Sequence, residues 1–273
     1  MAAAGTVAPV TVQPDAAGDL ELAHRLADIA AAIALPRWRA LDLDVRSKPD
    51  MSPVSDADTA VETAIRAHLA RVRPDDAVLG EEGGGQAGGA GRRWIIDPID
   101  GTRNFVRGNR VFATLVALEV EGRVDAAVVS APALQRRWWA ARGAGAHAGS
   151  GSGEGEPIRV SGVGEVEDAV VSSGAVPRLT ARELLQRWDA LALRAWHSRG
   201  FGDFWQHMLV AEGAVDVALD VDAHIWDYAP LRLIVEEAGG RFTDLEGVSR
   251  HDGADALSTN GLLHEAVLAA LAG

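Results

Sequence analysis

The chain has 273 residues, of which 48% are hydrophobic, and its formal net charge is −13 at pH 7. This composition allows a sizeable core and argues against nucleic-acid binding through a broad basic face. The chain has no cysteine, which excludes disulfides, thiolate zinc sites and cysteine nucleophiles and favours the cytoplasm. No apolar run approaches the roughly 20 residues of a membrane span. Residues 1–15 lack a secretory pattern, and we expect a disordered leader there.

Two helices are predicted near the beginning of the chain. Apolar residues recur at helical spacing from Leu20 to Leu35, with Asp19 as the expected N-cap and Pro36 as the expected stop. A second helix is expected from Asp56 to Val72. A short strand should then lead into a glycine-rich stretch, residues 83–91, which cannot hold regular structure cheaply. This stretch is either a surface loop or a mobile flap beside an active site.

Strands dominate the next part of the sequence. From Trp94 to Ala141 the pattern predicts successive strands, with a hairpin turn at Glu121–Gly122. Residues 143–157 are interpreted as a flexible connection, and residues 156–162 as one more strand. Tight turns between consecutive strands favour an antiparallel sheet. Residues 16–165 are therefore predicted to form an α+β half.

Helices and strands alternate from Val166 onward, which predicts an α/β half over residues 166–273. A strand at 168–175 should be followed by one helix at 180–195 and by a glycine-rich break at Arg199–Gly202. Helices are also expected at 204–214, 227–240 and 262–273, with strands at 215–221 and 241–247.

The string from Trp94 to Thr102, WIIDPIDGT, carries the strongest chemical signal. A strand should end at Asp97, and Pro98 should impose an extended turn that lets Asp97 and Asp100 converge. A helix opening after Gly101 would offer free N–H groups to a phosphate. Oxygen ligands of this kind select Mg²⁺, Mn²⁺ or Ca²⁺. The alternative is a turn whose two aspartates only accept backbone N–H groups.

This string resembles the signature of the inositol monophosphatase superfamily, and four further segments resemble other motifs of that family. These are Pro53–Asp58 followed by Val61–Glu62, Gly80–Glu82, Ile225–Asp227 and Glu237–Gly240. The similarity extends over residues 20–271. It implies a layered αβαβα sandwich, classed between α+β and α/β, a Mg²⁺-dependent phosphatase activity, and commonly a homodimer.

The resemblance also implies a set of metal ligands. Glu81, Asp97 and the backbone carbonyl of Ile99 would hold a first Mg²⁺, and Asp97, Asp100 and Asp227 a second. A third, weaker ion would use Glu81 and water. Mn²⁺ is the expected substitute.

The same resemblance assigns the catalytic residues. Thr102 would position the attacking water, and Asp58 would take a share of its proton, with Glu81 completing the catalytic set. Backbone N–H groups of Gly101 and Thr102 would hold the phosphate.

Within the superfamily, several segments resemble the histidinol-phosphatase branch of actinobacterial type. They are Lys48–Asp50, Gly101–Gly108, Arg137–Gly143 and above all Gly202–Trp205. The expected reaction is hydrolysis of L-histidinol phosphate to L-histidinol and phosphate, a step of histidine biosynthesis. The alternatives are a phosphatase of inositol-1-phosphate or another small phosphate ester, and an inactive metal-binding regulator that has kept the fold.

Four residues are expected to contact the substrate: Asp203, Asp220, Arg103 and His224. The two aspartates would receive the ammonium and imidazole groups of histidinol phosphate. Asp203 is equally well interpreted as the cap of the following helix. Trp205 is interpreted as a core residue in preference to a stacking partner. His224 is also consistent with an ordinary loop histidine.

Overall fold

The computed structural model describes residues 16–86, 91–151, 155–174 and 176–272, the side chains of residues 16, 17 and 86 excepted. Residues 1–15, where a disordered leader is predicted, lie outside these ranges. Helices in the described ranges are α1 Ala16–Arg37, α2 Asp56–Val72, α3 Thr102–Val106, α4 Val176–Ala181, α5 Leu185–Arg194, α6 Asp203–Ala211, α7 Ile225–Glu237 and α8 His264–Ala272.

The strands fall into a hairpin of two, a sheet of eight and a sheet of five within the same described ranges. They are β1 Val45–Ser47, β2 Pro53–Ser55, β3 Ala77–Gly80, β4 Gly84–Gln86, β5 Arg92–Asp100, β6 Ala113–Val120, β7 Arg123–Ala131, β8 Arg136–Ala141, β9 Ala146–Gly149, β10 Glu156–Pro157, β11 Val170–Ser173, β12 His197–Arg199, β13 Val217–Val221, β14 Arg241–Thr243 and β15 Asp255–Thr259.

The larger sheet has the order β10-β9-β8-β7-β6-β5-β3-β4 and is antiparallel except for the β3–β5 pair. Alternate residues of β5 point to opposite faces, as the period of a strand requires. Trp94 and Ile96 pack against α1 and α2 on one face, whereas Ile95 packs with residues of α6 and α7 on the other. Full burial of each such side chain contributes about 1.5–3 kcal/mol.

The smaller sheet has the order β12-β11-β13-β15-β14 and lies on the opposite side of α6 and α7. Leu219 and Leu257 face a third apolar cluster built with α4, α5 and α8. The layers are therefore α1 and α2, the large sheet, α6 and α7, the small sheet, and α4, α5 and α8. This is the predicted αβαβα sandwich.

The first half of the chain departs from the predicted elements in its ends and connections. Helix α1 begins before Asp19, so this buried carboxylate does not cap it and instead accepts a hydrogen bond from Arg92 at 2.7 Å. The helix also continues one residue beyond Pro36. The predicted hairpin turn at Glu121–Gly122 is present, with φ of 50° and 77°, as a type I′ turn requires.

Two segments that composition assigns to loops are strands, because tertiary pairing overrides weak local propensity. Strand β9, in the predicted flexible connection, pairs with β8, and β4, in the glycine-rich stretch, pairs with β3. Residues 87–90 of that stretch lie outside the described ranges. The predicted strand at 156–162 is reduced to the two residues of β10.

The second half differs from the prediction in three elements. The single helix predicted at 180–195 is divided into α4 and α5, because Glu183 adopts a left-handed conformation with φ of 56°. Strands β12 and β15 were not predicted, since each is completed only by distant partners in the small sheet. Within the described residues, no helix combines the length and apolar character needed to cross a membrane. The division at residue 165 remains a prediction.

Candidate active site

Strand β5 delivers the two central aspartates through an irregularity in its pairing with β6. Asp97 lies opposite Leu115 and Asp100 opposite Ala113, with a register shift between them. The sequence predicted that the strand ends at Asp97, and this was wrong. The strand continues to Asp100. In the shift, Ile99 donates its N–H to Asp97 Oδ1 at 2.9 Å, and the carbonyl of Pro98 accepts a hydrogen bond from a threonine of β6 at 2.8 Å.

A third carboxylate joins this pair from the start of α7. Asp227 lies in the first turn of that helix, where its Oδ2 accepts the N–H of His224 at 2.7 Å. One carboxylate oxygen from each of Asp97, Asp100 and Asp227 lies within 4.8 Å of the others. Residues 130 positions apart in the sequence are thus brought to one point.

These carboxylates raise one another's pKa. Burial raises the pKa of Asp97 well above its usual range, and Glu81, Asp100 and Asp227 raise it further. Burial acts in the same way on Asp100, reinforced by Asp203 and Asp227. For Asp227, burial and the nearby Glu81 raise the pKa to about 6. Converging hard oxygen donors with mutually repelling charges fit one or more divalent cations.

Glu81 directly follows β3, the parallel neighbour of β5, and lies beside the same centre. It lies close enough to contribute to the raised pKa values of both Asp97 and Asp227. Lys48 Nζ lies 2.7 Å from Glu81 Oε1 and 2.6 Å from Glu82 Oε1. Burial lowers the pKa of Lys48, but the two carboxylates outweigh burial, and the pKa lies above its usual range. The role of Lys48 as their partner was not predicted, because nothing local in the sequence indicates this contact.

Thr102 is held between two acceptors at the beginning of α3. Its Oγ1 lies 3.0 Å from the carbonyl oxygen of Ile99 and 3.3 Å from Asp58 Oδ1. Burial raises the pKa of Asp58, while hydrogen bonds from Ser55 act against this. The preceding Gly101 has φ of 79°, and a Cβ there would lie 3.0 Å from a backbone carbonyl, so the turn requires glycine. Helix α3 itself has only five residues.

Asp203 does not cap α6, which removes one of the two interpretations offered for it. The helix has Gly202 at its N-cap, and the N–H of Phe204 donates instead to Asp100 Oδ2 at 2.7 Å. Asp203 Oδ2 accepts a hydrogen bond from Asn104 at 3.1 Å, and its backbone has φ of 49°. Burial raises the pKa of Asp203.

Asp220 lies near the end of β13, beside the same group of acids. Burial and the neighbouring Asp203 raise its pKa to about 7, although Arg178 opposes this. Arg178, on α4, also lowers the pKa of Asp203 and donates to the carbonyl of Val221 at 3.2 Å. The sequence did not indicate Arg178, because its partners lie more than 20 positions away.

The other two expected substrate contacts lie at the surface. Arg103 is exposed on the first turn of α3 and acts electrostatically on Asp203. His224 is exposed at the N-cap of α7, with its ring centroid 4.8 Å from that of Trp226. Trp205, expected in the core, is half-buried and packs on the central cluster, 5.1 Å from the ring of Phe201.

The five layers and the carboxylate centre define an αβαβα protein with a site suited to divalent cations. Residues 16–272 match the model of the inositol monophosphatase family. The chain belongs to this metal-dependent family.

Individual relatives cover almost the whole chain. It is 49% identical to the histidinol-phosphatase of Mycobacterium tuberculosis over 93% of its own length and 97% of that protein. It is 46% identical to the histidinol-phosphatase of Streptomyces coelicolor, with the same coverage. An inositol monophosphatase from Zymomonas mobilis superimposes with a TM-score of 0.83 at 31% identity, covering 96% of this chain and 100% of that one. The predicted family, branch and fold are confirmed.

Proposed function

We propose that this protein is a Mg²⁺-dependent phosphatase that hydrolyses L-histidinol phosphate to L-histidinol and phosphate. The chain is a phosphoric monoester hydrolase by its family and by its relatives. The observation that carries the proposal is the convergence of Asp97, Asp100 and Asp227 within 4.8 Å. None of the ion pairs formed among the described residues involves these three carboxylates, so their charge calls for a bound cation.

The donor set suits Mg²⁺, Mn²⁺ or Ca²⁺, because every ligand is a hard oxygen, and the family resemblance favours Mg²⁺ among them. Glu81, Asp97 and the carbonyl of Ile99 would hold one ion, and Asp97, Asp100 and Asp227 another. When bound, Mg²⁺ supplies neutralisation of the phosphoryl charge and activation of water.

The chain's own residues orient the reactants. The hydroxyl of Thr102, placed between Ile99 and Asp58, positions the attacking water. Asp58, whose pKa is raised by burial, receives a share of the water's proton. Amide groups of Gly101 and Thr102 hold the phosphate. No covalent intermediate is required in this scheme.

The choice of histidinol phosphate is supported by the relatives and by local charge. Asp203 and Asp220 lie beside Asp100, and both are acids that burial makes costly to ionise. An ammonium or imidazolium group would neutralise them. Inositol-1-phosphate carries only hydroxyl groups besides its phosphate and would leave a buried charge without a partner.

A phosphate-release assay with Mg²⁺ tests both parts of the proposal. We expect kcat/KM for L-histidinol phosphate to exceed that for inositol-1-phosphate by at least about tenfold. The reason is that inositol-1-phosphate has no cationic group to contact the acids beside Asp100. Equal or faster turnover of inositol-1-phosphate would reject the substrate. A folded protein that releases no phosphate from any ester of a wider panel would be the metal-binding regulator.

We also propose a cytoplasmic homodimer, from the composition and the family resemblance. Light scattering after gel filtration measures the mass directly. A mass of 28.7 kDa, that of one chain, would contradict the dimer.

A further inference from the structure

A buried glutamate on α2 binds the turn that carries Glu81. Glu62 Oε2 accepts the N–H of Glu82 at 2.8 Å, and Glu62 Oε1 accepts the N–H of Gly83 at 2.8 Å. Arg66, one helical turn further on, donates to the same Oε1 at 2.7 Å. Both oxygens of the carboxylate are thus bound to the two amides that directly follow Glu81.

The glycines on either side of this turn allow the close approach. A Cβ at Gly83 would lie 2.7 Å from Glu62 Oε1, and a Cβ at Gly80 would overlap the same carboxylate. Neither glycine has a positive φ. Their side chains are absent because Glu62 occupies the space, so the turn and the carboxylate specify one another.

Helix α2 connects this turn with the opposite part of the site. Asp58 and Glu62 are four residues apart, so they lie on the same face of the helix. Asp58 contacts Thr102 at 3.3 Å, and the N–H of Glu81 donates to the carbonyl of Ile96 at 3.2 Å. One rigid helix therefore fixes the positions of Glu81 and Thr102 relative to each other.

We propose that Glu62 is a positioning residue that holds Glu81 in the geometry needed to bind the metal. The inference depends on the proposed function, because it requires Glu81 to be a ligand. A buried carboxylate that accepts two amide N–H groups forms strong, charge-assisted hydrogen bonds. Loss of partners that orient a metal ligand commonly weakens metal binding by about 10–100-fold.

Two variants separate geometry from charge. Glu62→Gln keeps the length but has only one acceptor oxygen for two N–H donors, whereas Glu62→Asp keeps the charge but is shorter by one methylene. We expect both to bind Mn²⁺ at least about 10-fold more weakly than the native protein. The measurement is a titration of the metal-free protein with Mn²⁺, with free ion counted by electron paramagnetic resonance and no substrate present.

Activity provides a second readout. At saturating Mg²⁺, kcat of both variants should return to within a few-fold of the native value, because Thr102 and Asp58 are unchanged. Native affinity in Glu62→Asp, with loss only in Glu62→Gln, would show that charge alone matters and would overturn the positioning role.

Glu237 supplies a matched control. Its two carboxylate oxygens accept the N–H groups of Gly143 and Gly145 at 2.8 and 2.9 Å, the same arrangement at another turn. It lies ten residues beyond Asp227 on α7, which corresponds to about 15 Å along the helix. Glu237→Gln should lower thermal stability without changing Mn²⁺ affinity. If Glu237→Gln lost Mn²⁺ affinity to a similar extent, the loss in the Glu62 variants would be explained by a general destabilisation of the fold, and the positioning role would be overturned.

Two further variants complete the test. Gly83→Ala displaces the turn while leaving Glu62 in place, so it should also weaken Mn²⁺ binding, and it keeps the test available if Glu62→Gln does not fold. Glu81→Gln tests the ligand itself. If Glu81→Gln binds Mn²⁺ normally, the proposed ligand set fails. If Glu81→Gln binds weakly but both Glu62 variants bind normally, the positioning inference alone fails.

Discussion

Buried acids lie at both ends of β5, but only those at its beginning pair with an arginine of the strand. At the other end Lys48 pairs with Glu81 and Glu82, whereas Asp97 and Asp100 form no ion pair among the described residues. At the beginning, Arg92 lies 2.7 Å from Asp19 and 3.1 Å from Asp76, and Trp94 donates to Asp76 at 2.8 Å. At the other end, Asp97 and its acidic neighbours have burial and mutual repulsion as the causes of their raised pKa values.

This difference separates structural from functional acids. Buried carboxylates are costly unless paired, and a complementary arginine offsets that cost at the beginning of β5. Asp97, Asp100 and Asp227 lack such an ion-pair partner among the described residues, and violations of this kind are expected at functional sites. Substitutions at the Asp97 end should therefore change activity, and substitutions at the Arg92 end should change stability.

The largest expected effect is that of Asp97→Asn, which removes a shared metal ligand. Phosphate release should fall by about 10³-fold or more, since metal assistance contributes several kcal/mol to the reaction. The free energy of unfolding of the metal-free protein should stay constant or rise, because a repulsive buried charge is gone. Near-native turnover in this variant would overturn the site assignment.

The opposite result is expected for Arg92→Met at the other end of the strand. The substitution leaves Asp19 with only Arg73, at 3.8 Å, and Asp76 with only the Trp94 N–H. The free energy of unfolding should therefore fall by about 2–3 kcal/mol, measured by urea denaturation. Values of kcat and KM should stay within about two-fold of native, because the chemistry lies at the far end of β5. A folded variant with lost activity would contradict this separation.

A pH dependence of stability is expected from Asp220 in the metal-free protein. Its pKa is raised to about 7, so the stability it contributes is fully present below the unfolded pKa of about 4 and is lost as the pH rises to about 7. Asp220→Asn should therefore gain roughly 2 kcal/mol relative to the native protein between pH 5 and pH 8. Urea denaturation in a chelator at both pH values measures the change. A constant difference would show that Asp220 ionises normally.

The smallest effect concerns specificity. Asp203→Asn should raise KM for histidinol phosphate by about 10-fold through loss of one charged contact, with little change for a neutral ester such as p-nitrophenyl phosphate. Steady-state kinetics with both substrates make the comparison. An equal rise in KM for both substrates would show that Asp203 maintains the structure of the site and does not contact the cationic group of the substrate.

The elements that could be predicted from the sequence are those specified by neighbouring residues. The bounds of α2, the Glu121–Gly122 turn and the string ending at Thr102 follow from local periodicity, turn preference and spacing. The ligand set could be named only through resemblance to a family, since Glu81 and Asp227 are 146 positions apart. Strands β12 and β15 were not predicted, because partners that complete them lie far away in the sequence. Strand β9 was not predicted because its glycine-rich composition is typical of a loop, although its partner β8 is a close neighbour.

By itself, the sequence determined the family, through motifs such as DPIDGT, and the layered architecture and metal ligands that the family resemblance implies. The apolar periodicity determined several individual helices and strands. Only the tertiary structure decided which acids remain without a cation, that Asp203 faces Asn104 and does not cap α6, and that Glu62 binds the turn of Glu81. The physical reason is that burial and hydrogen bonding between distant segments set the charge and geometry of a site, and no local pattern encodes either.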